Sequence, residues 1–229
     1  EDNEYKNCLA FIQSYFREMA QGKARENECK LLLIGDGHVG KSCLVNRLKR
    51  EPFEPEWKST HAIALAQIKN GDYLLNLWDF GGQDIYHATH RLFMQANAVY
   101  LALWDAGSEK EAHTPLIQEQ GKWQKYDNYH LAYWLDYARS QGHDSPVIVV
   151  QTKRDVHGVV DRPDIREQFR GKLSSLEFKQ IESKKDDWDE NGYNDLLSAV
   201  RRAVKRIKPN TEIPETWVNL RQAIREKQK

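Results

Sequence analysis

Residues 35–42 read Gly-Asp-Gly-His-Val-Gly-Lys-Ser and follow directly on the apolar run Leu31-Leu32-Leu33-Ile34. A buried strand running into a glycine-rich loop that ends in Gly-Lys-Ser is the phosphate-binding P-loop pattern. It constrains the fold because the loop needs a strand before it and a helix after it. Gly35 and Gly40 permit a tight turn and close backbone approach, which a Cβ would obstruct. Successive N–H groups in such a turn converge into an anion-binding nest. The helix opening near Lys41 adds the positive end of its dipole. Lys41 reaches the outer phosphates of a nucleotide, and the Ser42 hydroxyl offers an oxygen ligand to Mg²⁺. The competing account, a chance Gly-Lys-Ser in an ordinary turn, fits the flanking strand and helix poorly.

The totals exclude several other classes. The chain has 229 residues, 40% of them hydrophobic, which is enough for one sizeable domain with appendages. Lys plus Arg number 34 and Asp plus Glu 34, so no net charge draws the chain to nucleic acid or an anionic membrane. Cys8, Cys29 and Cys43 have neither metal-ligand nor redox spacing, and an odd, sparse set suits a reducing cytoplasm. No apolar run is long enough to span a bilayer, and Glu1-Asp2-Asn3-Glu4 is no signal peptide. The lack of an initial Met points to a piece of something longer.

Periodicity organises the rest. Tyr5, Cys8, Leu9, Ile12, Tyr15, Phe16 and Met19 fall at helical spacing, followed by a polar linker over 21–28. Strands are expected at 30–34, 62–68, 73–78, 98–104, 146–151 and 178–181. The turn Lys69-Asn70-Gly71-Asp72 makes 62–68 and 73–78 an antiparallel hairpin. Helices are expected at 41–50, 84–94, 128–140, 163–173, 194–207 and 215–227. Pro52 and Pro55 make 51–60 a mobile loop. The span 105–129 reads as a surface insertion bearing Trp123, Tyr126 and Tyr129, with its aromatics packing on the helix that follows. The layout is α/β, parallel strands alternating with helices plus one hairpin. Three segments result: an N-terminal helix and linker over 1–29, a central domain over 30–208, and a linker with a further helix over 209–229.

Two more motifs carry chemistry. Trp78-Asp79-Phe80-Gly81-Gly82-Gln83 closes the second hairpin strand. There Asp79 can hold Mg²⁺ through its water shell, the Gly82 N–H can meet a γ-phosphate, and Gln83 can orient an attacking water. Thr152-Lys153-Arg154-Asp155 ends the strand 146–151. A carboxylate at Asp155 can accept both N1–H and the exocyclic amine of guanine, a donor pair that adenine lacks. The Lys153 stem can lie over the purine face.

With these three motifs in this order, the chain resembles a Ras-like GTPase domain over about 30–207. More narrowly it is similar to the Roc domain of Roco proteins. The narrower likeness rests on the Trp78–Gln83 run with His87-Ala88-Thr89-His90, on Tyr133-Trp134-Leu135-Asp136-Tyr137, and on Ser145-Pro146-Val147-Ile148-Val149-Val150. The resemblance implies a six-stranded mixed sheet with helices on both faces. It implies phosphate contacts from Gly37, His38, Val39, Gly40, Lys41, Ser42 and Cys43, with the His38 ring in no catalytic role. It implies Mg²⁺ ligation by Ser42, by Thr60 when GTP is bound, and by Asp79 through water. Catalysis falls to Gln83, Lys41 and Gly82. Base contacts fall to Thr152, Lys153 and Asp155, with Ser183 and Lys184 backing the ring. Thr152 stands where the family usually has Asn and cannot make the same amide bridges to the P-loop, so weaker affinity with retained specificity is expected. Glu182 stands where small GTPases usually have Ser.

The implied function is a Mg²⁺-dependent switch that binds GTP and hydrolyses it slowly to GDP, inside a multidomain Roco-type protein. The alternative is a nucleotide-gated scaffold or dimerisation module with little hydrolysis. An ATP-using P-loop kinase or ATPase is a third reading, against which Asp155 and the 79–83 signature speak. The resemblance further implies a homodimer through a COR domain in the full-length protein, with this fragment monomeric. Arg91 and Arg139 are arginine-finger candidates by neighbourhood only. The loop histidines His61, His87 and His90 read as solvated side chains and not as a metal centre.

Overall fold

The computed structural model describes residues 2–25, 27–52, 63–81, 94, 97–110, 113, 117–119, 122–124, 127–183, 190–207 and 212–227. In chain order the elements are α1 (Asp2–Gln21), β1 (Lys23–Arg25), β2 (Glu28–Ile34), α2 (Lys41–Leu48), β3 (Ile63–Asn70), β4 (Tyr73–Phe80) and β5 (Ala98–Trp104). A 3₁₀ turn (Ser108–Lys110) and the short strands β6 (Ile117–Glu119) and β7 (Lys122–Gln124) follow. Then come α3 (Leu131–Gly142), β8 (Val147–Gln151), α4 (Arg154–His157), α5 (Pro163–Gln168), β9 (Leu176–Gln180), α6 (Glu190–Ile207), β10 (Glu212–Pro214) and α7 (Glu215–Glu226).

The chain forms two compact units, one of 28–207 and one of 1–27 with 208–229. The larger is built on a six-stranded sheet in the order β3-β4-β2-β5-β8-β9. Only β3 runs antiparallel to its neighbour; β4, β2, β5, β8 and β9 pair in parallel. The central strands are buried on both faces, which is why they read as unbroken apolar runs and not as alternation. Their odd and even residues nevertheless serve different layers. Leu31, Leu33, Leu101 and Leu103 pack against α2 and α6 through Leu44, Leu196 and Val200. Leu32, Ile34, Tyr100 and Ala102 pack against α3 and α5 through Trp134, Leu135 and Ile165. The mixed sheet with helices on both faces is thus as expected.

The smaller unit holds an element the sequence does not suggest. Lys23–Arg25, inside the expected polar linker, is a strand that pairs antiparallel with Glu212–Pro214. Around it α1 and α7 meet through Trp217, whose ring centroid lies 5.4 Å from that of Tyr15. Thr216 Oγ1 donates to Glu18 Oε2 at 2.6 Å, and Glu215 N–H donates to Gly22 O at 3.1 Å.

Local differences have local causes. The hairpin turn is Gly71-Asp72, with Asn70 paired to Tyr73 in the ladder. Asn70 is held in register by its side chain, which donates to Leu197 O at 2.8 Å and accepts from Arg201 at 2.9 Å. The helix expected over 163–173 stops at Gln168, and Gly171 beyond it takes a left-handed φ of +71°. The last helix of this unit opens at Glu190, four residues before its apolar periodicity becomes visible. Within 105–129, Tyr129 stacks on Tyr133 of α3 at 4.4 Å, whereas Trp123 is exposed on the β6–β7 hairpin. The expected helix 84–94 (Met94 apart) and nearly all of the loop 51–60 lie outside the described residues, as do Tyr126 and His61, His87 and His90. No helix of the described residues is long and apolar enough to cross a membrane.

Candidate functional site

The loop between β2 and α2 lies at the carboxyl edge of the sheet, where ligands of open α/β folds bind. Gly35 has φ +140°, His38 +61° and Gly40 +96°. A Cβ at Gly35 would stand 2.2 Å from Leu103 O, so only glycine lets β2 leave the sheet beside β5. Gly37 has open space around it, and a Cβ there would meet nothing within 4 Å. His38 is exposed and Val39 buried, so the loop turns one side chain out and one in.

Lys41 opens α2 and is buried, its Nζ donating to Gly35 O at 2.8 Å and Asp36 O at 2.7 Å. The amine therefore lies across the base of the loop. Burial lowers its pKa to about 8, against the pull of the Asp79 and Asp36 carboxylates. Ser42 Oγ donates to Asp79 Oδ2 at 2.5 Å, joining the loop to the end of β4 across 37 residues of sequence. A hydroxyl and a carboxylate side by side form an all-oxygen donor set, which suits a hard cation such as Mg²⁺. Cys43 is half-buried, and its thiol pKa is raised first by burial and then by the Asp79 charge.

The end of β8 carries the second half of the site. Thr152 is buried, and its Oγ1 lies 2.6 Å from Val39 O and 3.2 Å from Trp104 O. Threonine has no amide to make the family's usual bridges, and its contact to the P-loop runs through the hydroxyl instead. Lys153 adopts a left-handed φ of +51° and donates to Asp105 Oδ2 at 2.9 Å. Asp155 is exposed, and its N–H donates to Glu182 Oε2 at 2.9 Å. Ser183 is buried with its hydroxyl 3.2 Å from Tyr193 OH, so the fold occupies that side chain and leaves the main chain for any ligand contact. Arg139 is exposed and donates to Asp136 at 3.1 Å. Thr60, Gly82, Gln83, Lys184 and Arg91 lie outside the described residues.

Three acidic residues that the motifs do not single out shape the site. Asp36, inside the glycine-rich loop, is buried, and its Oδ1 accepts from Tyr129 N–H at 3.0 Å and Trp134 Nε1 at 2.9 Å. It ties the loop to the start of α3, and burial pushes its pKa up against those two hydrogen bonds. Asp105 is buried and accepts from Lys153 and from Gly107 N–H at 3.0 Å, with His157 Nε2 3.2 Å from its Oδ1. Glu182 fixes the main chain of Asp155. The signal for Asp36 is its place between two glycines and that for Glu182 its departure from the usual Ser of the last loop; nothing local in the sequence marks Asp105.

Residues 30–155 match the family described as "Ras of Complex, Roc, domain of DAPkinase". The chain is 27% identical over 172 residues to the probable serine/threonine-protein kinase pats1 of Dictyostelium discoideum, covering 64% of this chain and 5% of that protein. It is 26% identical over 255 aligned residues to a Roc-COR-CHAT protease of an unknown prokaryotic organism, covering 98% of this chain and 22% of that protein. The Ras-like GTP-binding protein RhoL of Drosophila melanogaster is 24% identical over 184 residues, covering 77% and 88%. Among solved structures, Roco2 RocCORdC of Methanosarcina barkeri bound to GDP aligns with a TM-score of 0.66 and 27% identity, over 88% of this chain and 57% of that one. The chain thus spans about a fifth or less of the first two of these relatives.

Proposed function

The chain belongs to the Roc (Ras of Complex) domain family, within the Ras-like GTPases, and from that premise we propose that it binds GTP and GDP and hydrolyses GTP slowly as a switch. The observation that carries the reading is the Ser42–Asp79 contact at 2.5 Å, which unites two of the three sequence motifs at one sheet edge. In this reading the polyphosphate lies in the loop 37–43, against main-chain N–H groups and the Lys41 ammonium. Ser42 would hold Mg²⁺ directly and Asp79 through its water shell, joined by Thr60 in the GTP state. The metal, when bound, neutralises charge on the β- and γ-phosphates. Lys41 stabilises charge building on the leaving side. Gly82 offers its N–H to the γ-phosphate, and Gln83 orients the water for in-line attack. Loss of the γ-phosphate removes the contacts to Thr60 and Gly82 and releases both loops. At the other end, Asp155 accepts the guanine N1–H and amine, and Lys153, Lys184 and the main chain of Ser183 frame the ring. In the longer protein, association through a COR domain follows from the same resemblance, and the sparse, odd set of cysteines suits a cytoplasmic setting.

The test is nucleotide competition followed by turnover. GDP and GTP should displace a fluorescent guanine nucleotide at concentrations orders of magnitude below ATP. Multiple-turnover phosphate release should be slow, and Gln83→Leu should lower it about tenfold or more while leaving GTP affinity nearly unchanged. Equal competition by ATP overturns the guanine assignment. Release unaltered by Gln83→Leu overturns the catalytic role and leaves a nucleotide-gated scaffold.

The lowered Lys41 pKa gives a second prediction. With a value of about 8 in the free protein, the amine is largely uncharged at pH 8.5, and a neighbouring polyphosphate raises the value again. GDP binding at pH 8.5 should therefore take up part of a proton through this group, and less at pH 6.5. Calorimetry in two buffers of different ionisation enthalpy measures the uptake, and Lys41→Met should abolish it. The sign follows because the bound state holds the proton more tightly, so affinity declines as pH rises above about 8.

A further inference from the structure

A second cavity stands beside the base motif but apart from the phosphate loop. It measures about 410 Å³ and is lined by Trp104, Ala106, Glu109, Lys110, His130, His157, Val160 and Arg162. That size suits a small organic ligand and exceeds what a bare inorganic ion fills. The Trp104 indole N–H is buried without a hydrogen-bond partner among the described residues, and with no accessible surface it is out of a ligand's reach. The acid in the lining is already used. Glu109 Oε1 accepts from Leu131 N–H at 3.0 Å, and Oε2 pairs with Arg162 Nη1. Arg162 is held further by Asp164, with its guanidinium 5.2 Å from the centre of the Trp104 ring. What remains for a ligand is the exposed ammonium of Lys110 and the imidazoles of His130 and His157, beside the apolar side chains of Ala106 and Val160 and the Trp104 ring. The exposed ammonium of Lys110 supplies positive charge, the two imidazoles can donate, and Ala106 and Val160 supply apolar surface.

We propose that this cavity is a ligand site for a small organic anion with a planar apolar body, of the aromatic carboxylate class. The carboxylate meets Lys110 and the imidazoles, and the ring lies against the Ala106–Val160 wall. The guanidinium plane of Arg162 adds a surface on which flat rings stack. The site borders the base motif, because His157 and Lys153 share the carboxylate of Asp105 at 3.2 Å and 2.9 Å. It does not depend on which nucleotide the P-loop takes.

The experiment titrates the GDP-loaded chain with indole-3-carboxylate and, separately, with its neutral counterpart indole-3-carboxamide, by calorimetry and by amide chemical-shift change. The expected result is saturable carboxylate binding with a Kd of about 1 mM or tighter, and carboxamide binding at least about fivefold weaker. Lys110→Glu reverses an exposed rim charge outside the nucleotide site and should weaken the carboxylate about fivefold or more. Val160→Trp fills the cavity and should remove binding, with thermal unfolding run alongside to show that the variant is folded. No saturable binding, equal affinity for the carboxamide, or a carboxylate Kd unmoved by Lys110→Glu each overturns the proposal. Lys110→Glu keeps the test decisive if the tryptophan variant does not fold.

Discussion

Asp155→Asn is expected to invert the nucleotide preference: GDP affinity falls about 100-fold or more, and xanthosine diphosphate becomes the better ligand. The arithmetic rests on two hydrogen bonds from guanine to a carboxylate. Bonds to a charged group contribute about 1.5–3 kcal/mol each, so losing the acceptor for the exocyclic amine, and the charge with it, removes two decades or more. An asparagine still accepts N1–H through its oxygen, but its amide now faces the guanine amine donor to donor. Xanthine carries a carbonyl there, and the amide donates to it. Asp155 is exposed and the bond from its main-chain N–H to Glu182 survives the substitution, and thermal unfolding of the variant checks that the fold is kept. Competition by GDP and xanthosine diphosphate against one labelled ligand gives the ratio directly. A variant that loses both nucleotides equally would mean that Asp155 acts on the loop and not on the base.

The contact between Asp155 and Glu182 also shows where sequence reasoning stops. The central strands β2, β5 and β8 are legible because double burial forces near-unbroken apolar runs, and the P-loop because its backbone demands glycine at fixed spacing. The edge hairpin is legible from Asn-Gly, although the ladder takes in Asn70 and moves the turn one residue on. By contrast β1 has three residues, is polar, and finds its partner at 212–214, so no local pattern announces it. Thr152 escapes sequence reasoning for a related reason. Its reach to Val39 depends on how closely β8 brings two loops 113 residues apart in sequence, which residue type alone does not fix. Asp36, Asp105 and Glu182 are likewise acids whose partners come from other elements. Motif chemistry is local and readable; the groups that orient it are supplied by topology.

Two glycines in one loop separate these two kinds of information. Gly35→Ala should destabilise the fold by about 3–5 kcal/mol, whereas Gly37→Ala should leave stability within about 0.5 kcal/mol. At Gly35 the new Cβ meets Leu103 O at 2.2 Å and Leu103 C and Val39 Cγ2 at 3.2 Å, and the φ of +140° is itself unfavourable for an L side chain. The neighbour cannot yield, because Leu103 is main chain in a central strand paired in register with Val150. Since a domain of this kind is stable by about 5–15 kcal/mol in total, the loss is large enough to halve the urea midpoint or to abolish soluble expression. At Gly37 the same methyl meets nothing within 4 Å, so the fold accepts it. Its effect should appear only with nucleotide present, as weaker GDP binding from a Cβ set where the backbone approaches a phosphate. Urea unfolding of the nucleotide-free proteins, followed by GDP titration of each, reads the two effects apart. If Gly37→Ala unfolded the protein, or left GDP affinity untouched, the loop would be scaffold and not cradle, and the placement of the phosphates along 37–43 would be wrong.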